Sequence, residues 1–161
     1  MAPQWLLVSV KWELDNVIVW FSEHPIFQSS LLDLDFCCMN QQELENRLLM
    51  FGADVVRLTK RMPRTSLSLY LIDQLTRSAT APALMYGEAC ASESRQDFIH
   101  KMSIGLKELR ETRMSLQIVR INQLVTGSDV DNLIDENEQL IRIFGKSINT
   151  ARRNRLKPAN G

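Results

Sequence analysis

The sequence predicts an all-α protein, an antiparallel up-down-up-down four-helix bundle whose second helix is kinked by proline. Three observations carry this expectation. Apolar residues recur at spacings of three and four through most of residues 41–153, the period of one helix face. The breaks between these stretches are short, which makes consecutive helices antiparallel neighbours. No strand pattern follows residue 40. The 161 residues suit one domain with a buried core.

Helix one is expected from about Gln41 to Met62, with Leu44, Leu48, Phe51, Val55, Leu58 and Met62 in one stripe. Pro63 ends it, because proline cannot continue the hydrogen-bond ladder and restricts the residue before it. Helix two repeats the spacing at Leu71, Leu75, Ser78, Pro82, Met85 and Ala89. Pro82 removes a backbone donor inside that stripe, so it kinks or divides the helix. Tyr70 and Tyr86 are the bundle's aromatics expected to be partly exposed.

Helix three starts at the cap Ser94, with Asp97 at the third helical position. Its stripe is Phe98, Met102, Gly105, Leu109, Thr112, Leu116 and Val119. The small Gly105 and Thr112 admit a close neighbour. A second apolar line, Met114, Ile118, Ile121 and Val125, gives the helix a second face and suggests oligomerisation. Thr126-Gly127-Ser128-Asp129 is the next break, with Gly127 as a C-cap and Ser128 or Asp129 as an N-cap. Helix four then runs to about Arg153 with Leu133, Leu140, Phe144 and Ile148 inward, and Ile134 and Ile141 beside them. Asp129, Asp131, Asp135 and Glu136 crowd its start and Arg152 and Arg153 its end, both favourable to the helix dipole. The bundle thus covers residues 39–155, and residues 156–161 form a fraying tail.

Residues 1–38 differ. They hold Trp5, Trp12 and Trp20, all the tryptophans of the chain. One reading is an extra helix or hairpin on the bundle. The other, favoured because Met39-Asn40 directly precedes a clean helix, is upstream sequence from a start assigned too early, with Met39 the true start.

Charge separates the same two regions. Residues 1–40 carry Lys11 against five carboxylates, a net −4, and residues 41–161 carry 18 cations and 14 carboxylates, a net +4. Cys37, Cys38 and Cys90 form neither a disulfide framework nor a zinc-ligand spacing, which fits a reducing, cytoplasmic setting. Lys11, Glu13 and Asp15 interrupt the N-terminal apolar run, unlike a signal peptide. No stretch approaches the roughly 20 apolar residues of a membrane span.

Candidate chemistry is sparse. Asp97 and His100 lie at i and i+3, as one Asp-x-x-His. Di-iron bundles need two such pairs and two further glutamates; a capping carboxylate and a surface histidine explain this one, and no metal or cofactor is expected. No catalytic signature of the G-x-S-x-G, H-E-x-x-H, C-x-x-C or phosphate-loop type occurs, and nothing in the spacing supports a Cys90–His100 dyad, so enzymatic activity is not expected. Asp97–Lys101 and Lys107–Glu111 are helical ion-pair spacings, each contributing a few tenths of a kcal/mol. Glu108 and Glu111 are also placed to meet Arg77 across the bundle. Clustered arginines attract phosphates by charge and bidentate hydrogen bonds. The clusters are Arg152, Arg153, Arg155 and Lys157 in the tail, Arg110, Arg113 and Arg120 on helix three, and Arg57, Lys60, Arg61 and Arg64 at the end of helix one. The first two are the candidate nucleic-acid contacts.

The stretches "QLTRSATAP" (74–82) and "GEACASESRQDFIHKMSIGLKELRETR" (87–113) resemble a small four-helix-bundle family. That family includes proteins encoded within intervening sequences of bacterial 23S ribosomal RNA genes. The resemblance extends over about residues 44–153. It rests on Gln74, Arg77 and Ser78, then Glu88-Ala89, then Ser94, Asp97 and Phe98, then Lys101, Ser103-Ile104, Lys107-Glu108 and Glu111-Thr112. The departures are Ala81-Pro82-Ala83-Leu84, Met114-Ser115, and Gly105 in place of a usual alanine. The resemblance implies a non-enzymatic protein that forms a homopentameric ring with a loosely defined link to RNA, and it makes the motif residues structural. The accessory proteins of diversity-generating retroelements form a related basic pentamer that partners a reverse transcriptase and nucleic acid. An accessory subunit of that kind is the alternative expectation.

Residues 1–38 lie outside this resemblance. A chain begun at Met39 is therefore expected to keep its helicity per residue and its melting temperature by circular dichroism; a much lower melting temperature, or insolubility, would make those residues part of the domain.

Overall fold

The computed structural model describes residues 9–14, 17–22 and 41–153. The chain divides into two units, Met1–Leu44 and Glu45–Gly161. In the first, β1 (Ser9–Leu14) and β2 (Val17–Ser22) form an antiparallel two-stranded sheet, with register running from Ser9↔Ser22 to Leu14↔Val17. These strands lie outside the all-α residues 41–153. Val17, Ile18 and Val19 are β-branched and are followed by Trp20 and Phe21, residue types that favour extended backbone. Of the two structures the sequence left open for this region, the hairpin is the one found.

Residues 41–153 contain four helices and no strand among the described residues: α1 (Gln41–Thr59), α2 (Ser66–Cys90), α3 (Arg95–Ile121) and α4 (Asp129–Arg153). The α1 stripe from Leu44 to Met62 is buried throughout. Its helix closes three residues earlier than expected, because the Arg61 and Met62 amides turn back to the Leu58 and Thr59 carbonyls in tighter, three-residue bonds. Thr65 caps α2, its hydroxyl accepting from the Ser68 amide at 3.3 Å. The helix then runs through the buried Pro82 without division. Tyr86 departs from its expected exposure and is fully buried, while Met85 is only half-buried. Its ring lies 6.3 Å from that of Phe144, tilted by 48°, a separation at which aromatic pairs attract.

Ser94 caps α3 as expected, accepting from the Asp97 amide at 3.1 Å. All seven residues of the α3 stripe are buried. The helix stops at Ile121 rather than continuing past Val125. Asn122 folds its side-chain amide onto the Ile118 carbonyl at 2.9 Å, and Gln123 takes a left-handed φ of 49°. Gly127, at φ 113°, belongs to the turn before α4 and not to the α3 cap.

Close approach sets the helix spacing. A Cβ at Gly105 would lie 2.7 Å from Phe144 Cε1 on α4 and 3.4 Å from Met85 Cβ on α2. Thr112 Oγ1 donates to Ser78 Oγ at 2.9 Å inside the α2–α3 seam, so two buried hydroxyls satisfy each other where the backbones are near. At Gly52 of α1 a Cβ would sit 3.1 Å from the Ala79 carbonyl. Asn137 of α4 is fully buried, and neither atom of its amide has a hydrogen-bond partner among the described residues.

The Gly105 contact gives a test with opposite expected signs. Helix propensity alone favours alanine over glycine by about 1 kcal/mol, whereas overpacking costs about 1–3 kcal/mol. Gly105→Ala is expected to lower the urea midpoint, because Phe144 is fully buried and has little room to retreat; a raised midpoint would place the two helices further apart.

Candidate nucleic-acid interface

Arginines on α1, in the turn after it and on α3 grip the acidic start of α4. Arg47 holds Glu136 bidentately, Nε to Oε1 at 2.5 Å and Nη2 to Oε2 at 2.7 Å, and reaches Gln139 Oε1 at 2.6 Å. Arg61 pairs with Asp129 and donates to the Thr126 carbonyl at 3.2 Å. From the other side, Arg113 meets Glu138 at 3.0 Å and Arg120 meets Asp131 at 3.4 Å. These pairs are partly or largely exposed, where each contributes at most about 1 kcal/mol. They orient α4 more than they stabilise it. Asp135 is the one carboxylate of the five in residues 129–138 without an ion pair among the described residues.

The predicted basic contacts therefore fall into different environments. Arg113 and Arg120 are engaged with α4. Arg110, Arg152 and Arg153 are exposed and have no ion pair among the described residues. Arg155, Lys157 and the predicted fraying tail lie outside the described residues. In the α1 cluster, Arg57 pairs with Asp54 and Arg61 with Asp129, leaving Lys60 and Arg64 exposed and unpaired among the described residues. A cleft of about 530 Å³ runs between α1 and α4 over the apolar floor of Met50, Phe51 and Leu58. Its three arginines, Arg47, Arg57 and Arg61, face three carboxylates, Asp54, Asp129 and Glu136, so the cleft offers a polyanion no net attraction.

Several of the motif residues meet across the α2–α3 seam. Arg77 donates to Gln74 Oε1 at 3.0 Å, and Gln74 donates to Glu111 Oε1 at 2.9 Å. Arg77 thus reaches Glu111 through Gln74 and not directly. Ser78 meets Thr112 within the seam, and Phe98 is buried. Lys101 bonds Glu88 of α2, in place of the expected Asp97 pairing, and that carboxylate holds its ammonium above the ordinary lysine range. Lys107 is exposed and Glu108 half-buried. Asp97 is half-buried beside its cap and His100 is exposed. No three His, Cys, Asp or Glu side chains gather as metal ligands among the described residues, and no described helix is long and apolar enough to cross a membrane.

Sequence reasoning missed the roles of Arg47 and Arg61. Arg47 stands at a helix position that looks solvated and Arg61 in the turn that closes α1, and nothing in the spacing of one helix says that another brings a carboxylate to it.

Residues 41–146 match the family described as 23S rRNA-intervening sequence protein. Among solved structures, the chain is similar to a protein of unknown function from the S23 ribosomal protein family of Bacteroides thetaiotaomicron. The TM-score is 0.60 at 24% identity, covering 68% of this chain and 97% of that one. No curated protein matches the chain.

Cys90, at the end of α2, is half-buried, and burial pushes its thiol up to about 11, with the neighbouring Tyr86 hydroxyl working in the opposite direction. An activated nucleophilic thiol is shifted downward. A raised thiol pKa favours the protonated form in the folded state. Its stabilising contribution is complete below the thiol's ordinary value, 9.0, and is lost as pH rises through about 11. At pH near 8, iodoacetamide is expected to label the Cys90 peptide much more slowly in native protein than in urea, with the native rate rising toward pH about 11. A native midpoint at or below 9.0, the thiol's ordinary value, would contradict the burial.

Proposed function

The chain belongs to the 23S rRNA-intervening sequence protein family over residues 41–146, and from that premise we propose a non-enzymatic, homo-oligomeric helical-bundle protein that binds the phosphate backbone of RNA or DNA. The observation that carries the nucleic-acid reading is the set of exposed arginines, Arg110, Arg152 and Arg153, that no carboxylate answers among the described residues. Residues 41–161 keep a surplus of 18 cations over 14 carboxylates. An assembly repeats each such cluster by symmetry, so a modest patch on one chain becomes a broad basic surface.

The architecture in this proposal is an antiparallel up-down-up-down bundle with α2 kinked at Pro82. It is supported by the order of the pairings. Arg47 early in α1 meets Glu136, while Arg61 beyond its end meets Asp129 at the start of α4. Gln74 pairs with Glu111 and Glu88 with Lys101, while Arg113 pairs with Glu138 and Arg120 with Asp131. In each set the residue number rises on one helix as it falls on the other. Pro82 lacks the amide that would bond the preceding turn, which favours a bend there.

Self-association is supported by apolar surface. Met114, Ile118 and Ile121 recur at i, i+4 and i+7 on α3 and are 57%, 39% and 73% exposed. On α2, Tyr70 and Leu67 are four and seven residues before Gln74, and they are 62% and 42% exposed. Since Gln74 bonds Glu111 and Met114 follows Glu111 by three residues, helix periodicity brings both sets to one side of the seam. A continuous apolar patch of this kind marks an interface. A pentamer is the state implied by the family resemblance.

Light scattering at micromolar concentration is expected to give the mass of a closed oligomer. The same material should retain labelled RNA or DNA at low ionic strength and release it steeply with salt. Converting Arg152, Arg153 and Arg155 to glutamine should weaken binding alike for all sequences and reduce the salt slope by about 0.7–0.9 per contact removed. A monomer that retains no nucleic acid would overturn the reading and give the apolar patch to a foreign protein, as for an accessory subunit of a reverse transcriptase.

A further inference from the structure

Charge is segregated along α4 and its continuation. Residues 129–138 carry five carboxylates and no cation, whereas residues 139–161 carry six cations and no carboxylate. The two parts meet different fates. Four of the five carboxylates are taken by Arg47 of α1, by Arg61 just beyond its end, and by Arg113 and Arg120 of α3. The acidic half is thus turned toward the protein's own helices and largely neutralised. In the basic half, Arg142, Arg152 and Arg153 are exposed with no ion pair among the described residues. Lys146 is half-buried and has a partner, so it is set aside.

Helix geometry arranges the free cations. Arg142 and Arg153 are eleven residues apart, close to three full turns, so they share a face about 16 Å long. Arg142 lies one turn beyond Glu138, and Arg110 lies one turn before Arg113, the residue that Glu138 holds at 3.0 Å. Because the α3–α4 pairings rise on one helix as they fall on the other, Arg110 and Arg142 both come next along the seam beyond that pair. The row begins where the internal ion pairs end. A single compact anion would need convergent donors in a pocket. A row of separate cations instead matches a linear polyanion, and 16 Å spans about five phosphates at ~3.4 Å of rise per charge on one strand. Phe144, the aromatic of this helix half, is fully buried, so base stacking on it is excluded and the row offers backbone contacts alone.

We propose that the C-terminal half of α4, with Arg110 across the seam, is the surface that follows the nucleic-acid backbone, Arg142 and Arg153 being its principal contacts. This rests on the nucleic-acid reading above and gives it a place. Lys60 and Arg64 at the α1–α2 turn are the internal comparison. They too are exposed and free of ion pairs among the described residues, but they flank Arg61, which is taken by Asp129, in the sequence.

The test uses the full chain and two labelled probes, a 20-nucleotide uridine RNA and the corresponding thymidine DNA, titrated over a range of salt. The triple variant R110Q/R142Q/R153Q is expected to lose at least about tenfold in affinity at low salt and to reduce the salt slope by about two. K60Q/R64Q should change both much less. Circular dichroism melts should be unaltered, since all five side chains are exposed. If the unaltered protein binds neither probe, the nucleic-acid reading itself fails. If it binds but the triple variant binds equally well, or K60Q/R64Q loses as much, nucleic-acid binding stands and this surface is overturned.

Discussion

The close approach of α3 to both α2 and α4 at Gly105 is the constraint on which the rest of the helical unit depends. A side chain there would meet Phe144 at 2.7 Å, so the absence of one lets the ring fill the space between three helices. Phe144 and the neighbouring Tyr86 can then both be fully buried. The same spacing brings the Ser78 and Thr112 hydroxyls within 2.9 Å of each other, which removes the penalty of burying either alone. Further along the seams, helices at this distance let Gln74 reach Glu111 and Arg113 reach Glu138. The polar links follow from the packing and fix which faces meet.

The arginines divide into two populations that look alike in the sequence. Arg47, Arg61, Arg113 and Arg120 turn inward to α4, where they balance a helix start that would otherwise concentrate five carboxylates in ten residues. Arg110, Arg142, Arg152 and Arg153 face solvent with nothing to neutralise them among the described residues. The overall formal charge of zero therefore conceals, within the helical unit, an uneven distribution of paired and unpaired charge among the described residues. Distributions of this kind govern encounter with charged partners and say little about fold.

Much of the helical unit is legible in the sequence because burial imposes a period. The stripe from Leu44 to Met62 and the seven-residue stripe from Phe98 to Val119 are buried as their spacing requires, and the Ser94 cap is local chemistry that needs no distant partner. Period also exposes the apolar line Met114–Ile118–Ile121, though not the loss of Val125 from it. That loss follows from Asn122 and Gln123, whose short-range hydrogen bonding and left-handed backbone end α3 early. Tyr86 lies four residues after Pro82 and three before Ala89, so the period admits either it or Met85, and it is Tyr86 that the structure buries, beside Phe144.

What the sequence by itself determined is the set of helices, their order and the faces each must hide, since these depend on residues within a few positions of one another. Only the tertiary structure decided which charges remain available to a ligand. A lone arginine carries the same charge wherever it stands, and its freedom depends on whether another helix, far away in sequence, brings a carboxylate within about 3 Å. Arg113 meets Glu138 and Arg110, three residues earlier, meets no carboxylate among the described residues; that difference is a property of the α3–α4 register, because one turn along the seam replaces the acidic half of α4 with its basic half.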